Sequence, residues 1–342
     1  MNDNKLLLVK GIAGLGNRMF CALTGILYAR LTGRRLLIDW RDDIYSNDGS
    51  NAFYRFFECS LCNPADQIPE TDSVRPSVWR GQIHQFATRM RKPYRNNTEF
   101  WLNTSIDLTQ LGYQEDLVVM WTFNPQVDLL RCHFNGPFKE LSQLTTKKIL
   151  RQLLREDLLL HPEIRERVNQ FKCNHFKKET VGVHVRYTDH RAPLWPILKK
   201  LNTLLKHEPE LQIFLSTDNI QIKNMFEDIY PLVISAQHWY SAPGLRLHGH
   251  ETCPHLTESG IEALVDLYLL AECNYLIIDT SSSFSRVAEL ITKVPDSDIF
   301  DVKRREKLPV PLRRLTWKLM LRLGFFSWGL RFLSKFIRLR KP

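Results

Sequence analysis

Between residues 180 and 292, short apolar runs alternate with amphipathic stretches. The pattern predicts strand 180–186, helix 194–206, strand 211–216, helix 220–228, strand 231–235, helix 259–272, strand 275–279 and helix 283–292. Strands that return only after an intervening helix do not close as hairpins. They lie parallel in one sheet with helices on both faces, the α/β class. In such a sheet a ligand binds in the crevice outside the carboxyl ends of the strands.

Three of these strand ends carry polar residues. VGVHVRYTD presents His184, Arg186 and Asp189, IFLSTDN ends on Asp218, and NYLIIDTSSSFSRVAEL empties into Ser281, Ser282 and Ser283 at the start of a helix. An arginine fork suits a diphosphate because it makes two parallel hydrogen bonds and keeps its charge. Serine hydroxyls and the amides of a helix N-terminus are also donors to phosphate, although Ser-rich turns serve equally as ordinary N-caps. The shared design of the three ends describes one crevice.

The first half opens with strand 5–10, a glycine turn Gly11–Gly16, helix 17–31 and strand 35–40. In G-I-A-G-L-G-N-R the backbone can come close to an anion. A dinucleotide fingerprint needs Gly or Ala where Met19 stands. Asp39 does occupy the place of a ribose-binding carboxylate, which keeps an NAD-dependent oxidoreductase as an alternative. Residues 42–103 lack periodicity and read as long loops around a binding face. A strand is expected at 117–121, then a largely helical stretch 141–171 broken at 157–162. The organisation that follows is a domain over 1–165, a second over 175–302 and a tail over 303–342.

The order H-x-R-x-x-D, then S-T-D-N, then D-x-Y-x-L-x-x-C-N-Y-x-I-x-D-T-S-S-S-F-S-R-V-A resembles the three motifs of the α1,2, α1,6 and protein-O fucosyltransferases. With KGIAGLGNRMFCALTGILYARLTGRRLLIDWRD at the start, it is most similar to the bacterial nodulation-type α1,6 enzymes. The resemblance covers residues 5–42 and 180–292. It implies a GT-B-like fold of two facing Rossmann-type domains, and inverting, metal-independent transfer of fucose from GDP-fucose to a glycan or glycolipid. It also implies that Arg186 neutralises the departing diphosphate, with Asp189 as the motif carboxylate. By the same match His184 contacts guanosine, Asp218 and Asp266 hold the nucleoside, Ser281, Ser282 and Ser283 hold phosphate, and Gly14, Gly16, Asn17 and Arg18 line the opposite wall. Two positions depart from the core α1,6 pattern: Tyr187 replaces a second basic residue, and Leu194 replaces the glutamate taken as the acceptor's base. The base is therefore open among Asp189, His190, Asp39, Asp42 and Asp43, and a lapsed binding protein is a second alternative.

The net charge of +10 resides in the tail, where residues 307–342 hold ten cations and no carboxylate. Leucines at three- and four-residue spacing among those cations predict an amphipathic helix over 308–341 lying on an anionic membrane, rather than a nucleic-acid site. The polar start MNDNK and an odd count of seven cysteines predict a cytoplasmic protein with free thiols, peripheral on the inner face of the plasma membrane. Cys59 and Cys62 read as a turn. His248, His250, Cys253 and His255 fit no zinc module, and Asp296 and Asp298 read as a solvated turn, so no metal is expected.

Overall fold

The computed structural model describes residues 5–241 and 252–305. Its first half contains β1 (Leu6–Lys10), β2 (Arg35–Asp39), β3 (Phe57–Cys59), β4 (Val74–Arg75), β5 (Leu117–Met120) and β6 (Leu158–Leu160). Four of these form a parallel sheet in the order β2-β1-β5-β4, and β3 pairs antiparallel with β6. The second half adds β7 (Thr180–Val185), β8 (Gln212–Thr217), β9 (Val233–Ile234), β10 (Tyr275–Ile278) and β11 (Ile299–Asp301), all parallel in the order β11-β10-β7-β8-β9. Two parallel sheets, each covered by helices and facing one another, are the GT-B arrangement.

Helices hold the halves together. Leu15–Thr32 is buried along nearly its whole length, because it packs on β1 and β2 on one side and on helix Ser283–Ile291 on the other. Helix Leu256–Ala271 covers the inner face of β7 and β8. One apolar core therefore runs from Leu8 and Met19 across to Leu267 and Leu290, while Val181, Val183 and Val185 face a separate core under helices Leu194–His207 and Ile220–Ile229. Strand alternation explains the division: Gly182 and His184, the intervening residues of β7, face inward. A Cβ at Gly182 would lie 2.9 Å from Leu276 Cδ2 and 3.0 Å from Cys273 Sγ, so glycine is what permits this close packing.

The predicted βαβ series is present with shifts of a few residues at element ends. The stretch predicted as mostly helical holds a 3-10 segment Gly136–Gln143, helix Thr146–Glu156 and helix Pro162–His175, and its expected break contains β6. Buried Asp157 anchors that break by accepting from Arg30 at 2.5 Å and Ser60 Oγ at 3.2 Å. The edge strands β4 and β11 were not foreseen. Asp296–Asp298 does form a turn, tied to Lys147 at 2.7 Å through Asp296. Cys62 N donates to the Cys59 carbonyl at 3.1 Å, also a turn. His248, His250 and the tail 308–341 lie outside the described residues. Among the described residues no helix is long and apolar enough to cross a membrane.

Candidate active site between the two sheets

A crevice of about 800 Å³, open to solvent, lies between the carboxyl ends of β7, β8 and β10 and the glycine turn after β1. His184, Arg186, Asp218, Asp266, Ser282 and Ser283 line one side, and Gly14 and Gly16 line the other. Asn17, Arg18, Asp189 and Ser281 are not part of this lining.

Arg186 leaves β7 into the loop and grips Asp189 with its fork: Nε to Oδ1 at 3.0 Å, Nη2 to Oδ1 at 2.7 Å and Nη2 to Oδ2 at 2.8 Å. The guanidinium plane is thereby fixed while a quarter of the side chain stays exposed. Beneath it, His184 is buried, with Nδ1 2.7 Å from Ser285 Oγ and its ring tilted over Phe284 at 4.9 Å. Burial, reinforced by Arg186, brings its pKa down to about 3, so His184 is a neutral imidazole at physiological pH.

Asp218 and Asn219 divide the work of the S-T-D-N turn. The Asn219 side chain caps helix Ile220–Ile229, accepting from Gln221 N at 2.9 Å and Ile222 N at 3.1 Å. Asp218 accepts from Tyr187 N and Thr188 Oγ1, both at 2.6 Å, and so ties the β7 loop to the end of β8. Burial raises the Asp218 carboxyl above the usual range. Asp266 is more deeply buried, and desolvation pushes it up to about 6.

After β10, Ser281 Oγ is 3.0 Å from His190 Nε2, and Ser283 Oγ donates to Asn17 Oδ1 at 2.8 Å across the two halves. Ser282 is the N-cap of helix Ser283–Ile291 yet makes no capping bond, and its buried hydroxyl has no partner among the described residues. A hydroxyl at a helix N-terminus without a protein acceptor is suited to an anion.

On the facing wall, a Cβ at Gly16 would stand 2.6 Å from the Ser283 carbonyl carbon and 2.8 Å from Phe284 N. Backbone cannot yield as a flexible side chain does, so glycine sets the width of the crevice. Gly16→Ala is expected to cost about 1–3 kcal/mol and to weaken anion binding, as checked by denaturant unfolding and by nucleotide titration.

Arg18 stands apart from the wall it was expected to line. It is fully buried, donates from Nε to the Ala13 carbonyl at 2.8 Å, pairs with Asp42, and lies over the rings of Trp40 and Tyr45 at 5.5 and 5.1 Å. It acts on the crevice through the shape of the turn. Asp39 is similarly engaged, by Lys10 Nζ at 2.7 Å and Arg41 Nε at 2.8 Å. Burial alone would raise its pKa, but these cations bring it to about 2. Asp39 is therefore committed to Lys10 and Arg41, which leaves the oxidoreductase alternative without its ribose ligand. With Asp39 and Asp42 both paired and buried, the candidates for a base narrow to the more exposed Asp189, His190 and Asp43.

Sequence reasoning did not single out His238, Tyr45 or Ser259, which also line the crevice. His238 follows a two-residue strand in ISAQHWY and carries no motif spacing. Among the described residues no group of three His, Cys, Asp or Glu is gathered as a metal site.

The family model for nodulation protein Z matches residues 144–308. Nodulation protein Z of Bradyrhizobium diazoefficiens is 25% identical over 337 residues, covering 89% of this chain and 84% of the relative. Among solved structures, NodZ α-1,6-fucosyltransferase soaked with GDP-fucose superposes with a TM-score of 0.59 at 21% identity, covering 85% of this chain and 93% of that one. A mutant of Arabidopsis thaliana FUT1 in complex with GDP superposes with a TM-score of 0.55 at 16% identity, covering 85% and 70%. The motif resemblance to the nodulation-type fucosyltransferases therefore holds, and the fold is that of these GT-B enzymes.

Proposed function

We propose that this protein is an inverting, metal-independent fucosyltransferase that moves fucose from GDP-fucose to a hydroxyl of a glycan or glycolipid, α1,6 in preference to α1,2. The observation that carries the reading is one crevice lined both by the oriented guanidinium of Arg186 and by the unpartnered hydroxyl of Ser282 at a helix N-terminus. The acceptor oxygen attacks the anomeric carbon of fucose, the bond to the β-phosphate oxygen breaks, and GDP leaves with the electron pair. Charge grows on the β-phosphate as that bond breaks. Arg186, with Ser282, Ser283 and the helix amides around them, stabilises it most in the transition state, which is what lowers the barrier. Neutral His184 together with Asp218 and Asp266 holds the nucleoside, while Gly14, Gly16 and Asn17 shape the acceptor side. The acceptor proton passes to a base among Asp189, His190 and Asp43. The basic, leucine-striped composition of 308–341 supports an acceptor presented at an anionic membrane surface.

GDP is expected to raise the melting temperature, since a ligand of the native state at a hundredfold over its Kd adds about 2.7 kcal/mol. UDP, CMP and NAD should give smaller shifts, and EDTA should change neither the GDP shift nor turnover of GDP-fucose. Loss of turnover on chelation, restored by manganese, would contradict the metal-independent mechanism. Leu194 at the expected glutamate position favours one second reading, a relative that binds GDP without turning over GDP-fucose. A GDP shift without fucose release would establish it.

A further inference from the structure

Two side chains of the crevice lining and a tyrosine packed against one of them hold buried polar atoms with no hydrogen-bond partner among the described residues: Nδ1 of His238, Oδ1 of Asp266 and Oη of Tyr240. The His238 and Asp266 side chains are only 6% and 7% exposed. Tyr240 lies against the imidazole with ring centroids 4.2 Å apart. Buried groups left in this way cost about 1–3 kcal/mol each, so three together at the edge of a binding crevice call for a chemical reason.

The geometry of His238 supplies one. Its Nε2 lies 2.9 Å from the Thr217 carbonyl, which only accepts, so Nε2 carries a hydrogen. Its Nδ1 lies 3.9 Å from Asp266 Oδ2. With no further proton, a nitrogen lone pair would face a carboxylate while both side chains are almost fully buried. One proton between the two removes that conflict. Placed on Nδ1 it makes an ion pair, and Asp266, a residue of the crevice lining, stays an anion whose Oδ1 has no partner among the described residues.

We infer that His238 is a positioning residue of the nucleotide site: anchored on Thr217, it shares one proton with Asp266 and keeps that carboxylate ionised to receive N–H donors of a ligand base. This rests on the reading above that the crevice takes a nucleoside diphosphate. The surroundings define the balance. Glu262, one turn earlier on the Asp266 helix, accepts from Trp239 N at 3.1 Å and repels Asp266, while Ser216 hydrogen-bonds it. Asp218 from the end of β8 and Glu227 from helix Ile220–Ile229 act on Tyr240. Arg186 and neutral His184 complete the lining from β7. Burial pushes Asp266 up to about 6, and His238 is the foremost group opposing that rise. A ligand that needs the anion loses affinity as pH falls through this pKa. Removing the imidazole moves that loss to higher pH.

The test is calorimetric titration of GDP between pH 5.5 and 8.5 on the full chain, wild type and His238→Gln. Glutamine can still donate to the Thr217 carbonyl but carries no proton. Wild-type affinity is expected to fall only below about pH 6. In His238→Gln the fall should begin about one pH unit higher, roughly a threefold loss relative to wild type near pH 6.5 that approaches tenfold at pH 5.5, with the two curves converging by pH 8.5. ADP, whose base lacks the N1–H donor, should bind weakly in both with no such dependence. Asp266→Asn provides an arm independent of how His238→Gln folds: its GDP affinity should be low and flat across the range. A pH dependence that persists in Asp266→Asn, or His238→Gln and wild-type profiles that superimpose or differ by the same factor at every pH, would overturn the role of His238 alone. Failure of wild type to bind GDP at any pH would overturn the nucleotide reading and this role with it.

Discussion

Arg186→Lys is expected to leave the protein folded and to lower kcat for GDP-fucose by about 10²–10³-fold, the range seen when one donor to a developing oxyanion is lost. The substitution keeps the charge, so the loss isolates geometry. In the wild type, Asp189 holds the guanidinium plane through Nε and Nη2. Nη1 has no protein partner among the described residues, and with its neighbour it can approach a diphosphate as a fork. An ammonium has no plane for Asp189 to fix and delivers one point of charge. Steady-state kinetics beside melting curves separate the possibilities. A drop in kcat and kcat/KM at unchanged melting temperature is the expected result. A lowered melting temperature with near-normal turnover per folded molecule would make Arg186 structural.

Asp42→Ala is expected to destabilise the protein by about 3–5 kcal/mol, because it leaves the fully buried Arg18 guanidinium without its counter-charge. The double variant Arg18→Met/Asp42→Leu should recover most of that loss, since the site is walled by Trp40 and Tyr45 and accepts apolar side chains. Urea unfolding of the three variants measures both effects. The double variant also decides what Arg18 does. GDP affinity within a few-fold of wild type is expected, in keeping with a residue that shapes the turn. Loss of binding in a stable double variant would instead return Arg18 to the crevice.

The second sheet was legible because β7, β8 and β10 are buried on both faces. Burial of that kind writes continuous apolar runs into the sequence, and the helices between them have clear amphipathic spacing. β4 and β11 are two and three residues long, too short for periodicity to register, and they are held as strands by neighbours distant in the chain. The candidate site divided in the same way. Arg186 and Ser282 line the crevice because each lies in the turn that follows its own strand, a position visible in the sequence. Arg18 was misplaced because sequence puts it beside the glycine turn, whereas the helix beginning at Leu15 carries it to the interior, against Asp42, while Gly14 and Gly16 stay at the crevice. His238 reaches Asp266 only through the path of the chain after β9, a tertiary fact with no local signature.

The most direct measurement follows the sugar itself. Wild-type protein with GDP-fucose and EDTA, watched by proton NMR, is expected to release GDP and fucose whose first-formed anomer is opposite to that of the donor, with Arg186→Lys slower by the factor given above. Retention of the donor's anomeric configuration, or GDP-fucose left intact while a UDP-sugar is consumed, would contradict an inverting GDP-fucose site in this crevice.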